Sequence, residues 1–305
     1  MPNHVTNNLK FKGPQEDVEV LRNAINSKTK DGESVLIDFE KIIPMPESLR
    51  IESSNSVDNG MAVIIFKETG ASSELTHMLS YPWVKAEGIK NIKELAAYLL
   101  KENRADLNLG AQALDNLKKY GHKDWYSWST AKWGTKWNAY SQIEIGENEI
   151  SFDTAWSTPL PVIKKLSKMF PTIEILLSFA DEDFGQNCGE ITLKAGKTIE
   201  KDLPEGGSVE AYILASEVQG RDIENMIEDY HDTEDEDFAR TIVEAVLQKV
   251  EPEIVVDIAI ECENYCGTTT MLEVIKGELL SRELYELVSK IDEKIKEVEM
   301  ESEEN

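Results

Sequence analysis

The run KWGTKWNAYS, Lys132 to Ser141, gathers residue types suited to holding a flat, anionic molecule. Trp133 and Trp137 offer ring faces, Gly134 supplies freedom for a tight turn, and Lys132 and Lys136 carry positive charge, with Asn138 and Tyr140 close by. Such a set can stack a base or a sugar and hold its phosphate. The same residues can instead form a structural aromatic corner with Lys136 at its surface, because aromatic clusters where elements meet are mostly core. Five of the six tryptophans (Trp125, Trp128, Trp133, Trp137 and Trp156) fall between positions 125 and 156, and each ring buries roughly 150–250 Å². The reading we prefer makes them mainly the core of a second domain, with Trp156 closing a sheet against a helix and any binding role grafted onto that core.

Acidic side chains form the next candidates. Asp181, Glu182 and Asp183 stand at the end of an apolar run in FADEDFGQNCGE. Carboxylates so placed suit a divalent cation or acid–base work. The EF-hand spacing is missing, and solvated turn acids shaped by Gly185 and Gly189 are the better account. Asp181 and Asp183 remain the best metal candidates in the chain. In HDTEDEDF, His231 to Phe238, an adjacent His-Asp lacks the further histidines that a metal phosphohydrolase needs, so Thr233 or Asp235 is expected to cap a helix. Cys262 and Cys266 lack partners at zinc-ligand spacing and read as buried free thiols. P-loop, GxGxxG, HExxH and GxSxG patterns are all absent. Catalysis therefore has little local support, a non-enzymatic role is preferred, and no cofactor is expected.

The elements that must position these residues read as α+β. Val5 to Lys12 alternates like a strand, and the following stretch has Pro14 at its start and Val18, Leu21 and Ile25 at helical spacing. VLIDFEKIIPMPESL reads as a buried strand ended by Pro44 and Pro46, and Ala62 to Glu68 as a short strand. Asn91 to Tyr120 is helical, stopping at Gly121. Two strands around Gly146, a helix from STPLPVIKKLSKMF, the strand PTIEILLSFADED and a last strand GEITLKAG then suggest a small ferredoxin-like sandwich, an antiparallel sheet with packed helices. KAGKTIEKDLPEGG reads as the boundary to an acidic, α-rich α+β domain, in which EIVVDIAIE is ambiguous between strand and helix. There, GELLSRELYELVSKIDEKIKEVEME reads as one final amphipathic helix. The division expected is 1–122, an N-terminal α+β region; 123–200, the ferredoxin-like domain; and 205–305, the acidic domain.

Charge separates the halves. The chain of 305 residues carries a net −26, but residues 1–180 hold 23 acids against 21 bases and residues 181–305 hold 35 against 11. Phosphate repels such a C-terminal half, so direct DNA binding through it is disfavoured. A basic protein partner is favoured. No apolar run reaches the ~18–20 residues that span a bilayer. MPNHVTNNLK lacks the pattern of a secretory leader, and three sparse cysteines suit a reducing compartment, so a cytoplasmic protein without a membrane partner is expected.

Several segments resemble one family together: MPNHVTNNLKFKG at the start, KIIPMPESL at 41–49, WGTKWNAYS at 133–141, FDTAWSTPLPVIKKLSKMFP at 152–171 and ADEDFGQNCGE at 180–190. In this order they resemble the YubB ferredoxin-like family, accessory proteins of bacteriophages, conjugative plasmids and prophage regions. The resemblance covers about residues 1–195 and implies a fold rather than an iron–sulfur cluster, whose cysteines are lacking. It implies no activity. It marks Trp133, Gly134, Lys136, Trp137, Asn138, Asp153, Trp156, Asp181, Asp183 and Gly185 as positions to test. The function expected first is an interaction protein of a mobile element, its acidic half blocking a basic, nucleic-acid-handling or defence protein of the host. The alternative is a nucleotide- or nucleic-acid-binding module centred on WGTKWN.

Overall fold

The computed structural model describes residues 3–263 and 270–303. They form two compact units, one of the described residues within 3–23, 139–158 and 166–303, the other of residues 24–138 and 159–165.

β1 (His4–Lys12) alternates, sending Val5, Leu9 and Phe11 inward and leaving Thr6 and Lys10 on the opposite face. Asn7 shares the buried face, where its amide donates to Val5 O and Thr154 Oγ1 and its oxygen accepts from the Thr158 hydroxyl. α1 (Gln15–Ile25) follows, with Glu16 and Asp17 favourably placed at its N-terminus.

The chain then passes into the helical unit. β2 (Ser27–Lys28) and β3 (Ser34–Val35) form a minimal ladder before α2 (Phe39–Ile42). VLIDFEKIIPMPESL is thus not one buried strand: Asp38 caps α2 by accepting from the Glu40 N–H, and a 3-10 turn at Glu47–Leu49 follows the two prolines. α3 (Asn55–Thr69), α4 (Ser73–Met78), α5 (Pro82–Ala86), α6 (Ile92–Lys101), α7 (Leu107–Tyr120) and α8 (Trp125–Lys132) complete the unit. Ala62 to Glu68, expected as a strand, belongs to α3 because Ser54 caps one end and left-handed Gly70 the other. α3 also crosses α7 at two glycines. A Cβ on Gly60 would stand 2.0 Å from Asp106 O, and one on Gly110 would stand 2.6 Å from the Gly60 carbonyl carbon.

β4 (Tyr140–Gly146) and β5 (Glu149–Ala155) return the chain to the first unit through Asn148, whose φ is 59°. α9 (Leu160–Met169), β6 (Glu174–Asp181), β7 (Gly189–Lys194) and β8 (Lys197–Asp202) follow. Six strands make one antiparallel sheet in the order β4-β5-β1-β6-β7-β8. Along the chain β1-α1-β4-β5-α9-β6 is a βαββαβ unit, the ferredoxin-like pattern, with β1 and β5 at its centre. Its first strand and helix come from residues 4–25 rather than from within 123–200, and residues 26–139, most of the helical unit, are inserted between α1 and β4. Long-range register explains why local pattern missed this: Leu9 faces both Ile150 and Leu177. The expected linker KTIEKD is instead β8. Ala195 and Gly196 both take positive φ, the two-residue turn that closes a hairpin.

α10 (Val209–Gln219), α11 (Asn225–Asp229), α12 (Glu236–Leu247), α13 (Pro252–Glu263), α14 (Thr270–Ser281) and α15 (Tyr285–Glu303) end the chain. α10 lies over the polar face of the sheet, where the Asn8 amide donates to Val218 O and the Gln219 amide to Asp181 O. The later helices bury Ile242, Val246, Leu272, Ile275 and Ile291 in a shared core. EIVVDIAIE is helical, within α13, and the expected final helix breaks at Glu283, whose φ is 61°. The compact units thus follow a different partition from the three consecutive segments read from sequence. No described helix is long and apolar enough to cross a membrane.

Candidate functional site

The WGTKWN turn is built by Ser129. Its carbonyl accepts from the N–H groups of Trp133 and Gly134, and its buried hydroxyl donates to Lys136 O at 2.8 Å. Gly134 takes a φ of 80°, open to glycine at little cost. The helix before the turn starts with a capping box, Asp124 with Ser127.

This geometry sends the two tryptophans opposite ways. Trp133 is 4% exposed. Its ring meets Trp128 edge-on at 5.4 Å and Phe39 at 5.8 Å, and its indole N–H donates to Ile43 O at 2.9 Å. Trp137 is 39% exposed, and the Lys136 ammonium lies 4.7 Å from its ring centroid. Asn138 is structural: its oxygen accepts from the Phe39 N–H and its amide donates to Asp38 Oδ1, joining the turn to the start of α2.

A cavity of about 370 Å³ opens beside the turn, lined by Met45, Arg50, Ile51, Glu52, Trp125, Trp133, Lys136, Trp137 and Asn138. Arg50 is the residue that sequence reasoning missed, although it directly follows the quoted KIIPMPESL. Glu40 holds its guanidinium at 2.8 Å and Glu47 at 3.1 Å. The hydrogen bond to Glu40, above all, raises its already high pKa, so it stays a fixed cation. A guanidinium has five N–H donors, more than these two contacts use. The cavity therefore offers partly exposed indole faces, the Lys136 ammonium, and the Arg50 guanidinium in its pairing with Glu40 and Glu47, with Glu52 as the carboxylate of the lining itself.

The other positions singled out in the sequence lie in the sheet unit. Asp153 accepts from the Thr6 hydroxyl and neighbours Tyr140 across β4 and β5. Burial, followed by the charges of Asp153 and Glu182, raises the Tyr140 pKa, and this hydroxyl is hydrogen-bonded to His4 Nδ1 at 2.7 Å. Trp156 does not close the sheet against a helix: it is 41% exposed with a φ of 76°, because its N–H is tied to Asn3 O just past the end of β5. Asp181 shapes its own loop, accepting from the Asp183 N–H, the Asn187 amide and the Asn3 amide. Among the described residues no three His, Cys, Asp or Glu side chains gather where they would hold a metal ion. Asp235 caps α12. Cys262 is half-buried, and Cys266 lies outside the described residues.

Residues 132–245 match the family model described as a ferredoxin-like domain in Api92-like protein. That match starts ahead of β4, so β1 and α1 complete the pattern from outside it. No curated protein matches the chain. Among solved structures, the crystal structure of protein api92 from Yersinia pseudotuberculosis is similar with a TM-score of 0.32 and 10% identity, over 67% of this chain and 98% of that one. The sequence resemblance to the YubB family thus comes down to a ferredoxin-like domain of the Api92-like description.

Proposed function

We propose that the protein is a nucleotide-binding module whose site is the cavity beside Trp137. One observation carries this reading: Trp125 and Trp137 line the same cavity as Lys136 and Arg50. A ring face stacks any base, Lys136 suits a phosphate, and Arg50, paired with Glu40 and Glu47, has further N–H donors to add. The chain's net charge of −26 disfavours a long polyanion, so a mononucleotide or a short single-stranded stretch fits best. Isothermal titration of AMP into the full chain tests this. Saturable binding is expected, weakened about tenfold or more in Trp137→Ala, since base–aromatic stacking contributes about 1–3 kcal/mol. Absence of binding, or equal binding by the variant, would overturn it.

A second reading concerns the C-terminal helices. Many of their cations sit in ion pairs, Arg221 with Asp229, Arg240 with Glu236, Lys249 with Glu217, Lys276 with Asp292 and Lys290 with Asp257. The surplus carboxylates suit a basic protein partner reached by electrostatic steering. On this reading the protein is an accessory factor of a phage or plasmid that occupies a host nucleic-acid-handling protein; the YubB resemblance supplies the mobile-element setting and the acidic charge suggests the role. Capture of a basic DNA-binding protein that fades with salt and in the Asp232→Asn, Glu234→Gln, Asp237→Asn variant would support it. Capture indifferent to both would count against it.

A further inference from the structure

A larger cavity, about 530 Å³, lies elsewhere in the helical unit, between the first turn of α3, α4, α5, α6 and Arg104. It shares no lining residue with the Trp137 cavity. Its size falls in the range of roughly 300–1,000 Å³ typical of small-molecule sites.

The lining carries charges of both signs. Asp58 contributes a carboxylate already paired with Lys123. Glu74 contributes a second carboxylate, and Arg104 a guanidinium. Arg104 is held in place: its N–H donates to Leu99 O at 2.8 Å, and its carbonyl accepts from the Asn59 amide at 2.7 Å. Its guanidinium lies 5.3 Å from the Trp83 ring centroid and 5.7 Å from that of Tyr98. Counting Lys123, which pairs with Asp58 from outside the lining, two carboxylates meet two cations, so no single charge sign is favoured in the ligand.

Hydrogen-bonding capacity narrows the ligand further. The two carboxylates only accept, the guanidinium only donates, and Asn55, Asn59 and Ser56 do both. Hydroxyl groups, which donate and accept together, match that mixture best. Met78, Tyr81 and Trp83 supply an apolar wall for the C–H faces of a ring. We propose that this cavity binds a neutral saccharide of one or two hexose rings.

The test uses the full chain, with D-glucose, D-galactose, N-acetylglucosamine and maltose as probes. Saturation-transfer NMR and calorimetry up to about 50 mM reach the millimolar end of the affinity scale. Glu74→Gln and Asn55→Ala alter exposed side chains, and circular dichroism checks that both variants fold. At least one saccharide should bind saturably, each variant should weaken it about fivefold or more, and neither AMP nor spermidine should displace it. Failure of all four probes, binding unchanged in both variants, or displacement by either charged competitor would overturn the proposal.

Discussion

The Lys136 ammonium sits 4.7 Å from the Trp137 ring centroid, on an indole that lines the proposed nucleotide site. A cation over a ring face competes with any base that would stack there, and the same cation can pair with a phosphate once displaced. Lys136→Gln should therefore act in opposite directions on two ligands. Adenosine should bind about threefold more tightly, since an exposed cation–π contact is worth about 0.5–1 kcal/mol. AMP should bind more weakly, by about threefold, for loss of a surface charge pair. Calorimetry with both ligands checks this, and a shift of the same sign for both would show that Lys136 does not exchange between ring and phosphate.

The glycine crossing of α3 and α7 leaves no room for a methyl group, with Asp106 O only 2.0 Å from a Cβ at position 60. Gly60→Ala should cost about 3 kcal/mol, the upper end for overpacking. Five of the six tryptophans lie in the helical unit, so intrinsic fluorescence reports mainly its unfolding. The fluorescence midpoint in urea should fall markedly for Gly60→Ala. An unchanged midpoint would mean that the helices separate without loss.

Tyr140 couples the sheet face to pH. Its pKa is raised by burial first and then by Asp153 and Glu182. Unfolded tyrosine titrates near 10. The native state therefore keeps a proton that the unfolded chain gives up, and this contribution is full below about pH 10 and lost as pH rises through the folded value. Tyr140→Phe, which also loses the bond to His4, should be about 0.5–1.5 kcal/mol less stable at pH 7, with the gap narrowing at pH 10.5. Urea denaturation followed by circular dichroism at both pH values measures it; a gap that widens would contradict the assignment.

Local pattern was enough for α6, α7, β4, β5 and β6, whose periodicity and end signals agree. It failed where a distant partner decides. The apolar string Ala62 to Glu68 has β-type composition, yet the caps at Ser54 and Gly70 and the crossing at Gly60 make it helix. β1 joins the sheet only through register with β5 and β6, which no local signal carries. At the site, Trp133, Lys136, Trp137 and Asn138, neighbours along the chain, line one cavity, whereas Asp181 and Asp183 are not among its lining residues. The sequence did not foresee that one indole is sealed and the other open, because Ser129 and Ile43 decide that through hydrogen bonds to the turn. Arg50 was hidden by its distance along the chain from Lys136.

The most direct test of the nucleotide site is the set of indole N–H signals in an NMR titration of the full chain with AMP, assigned by single Trp→Phe variants. Trp125 and Trp137 should move saturably together, while Trp83 and Trp156, which do not line this cavity, stay in place. Movement of Trp83 or Trp156 instead, or no movement of any indole at millimolar AMP, would contradict the account.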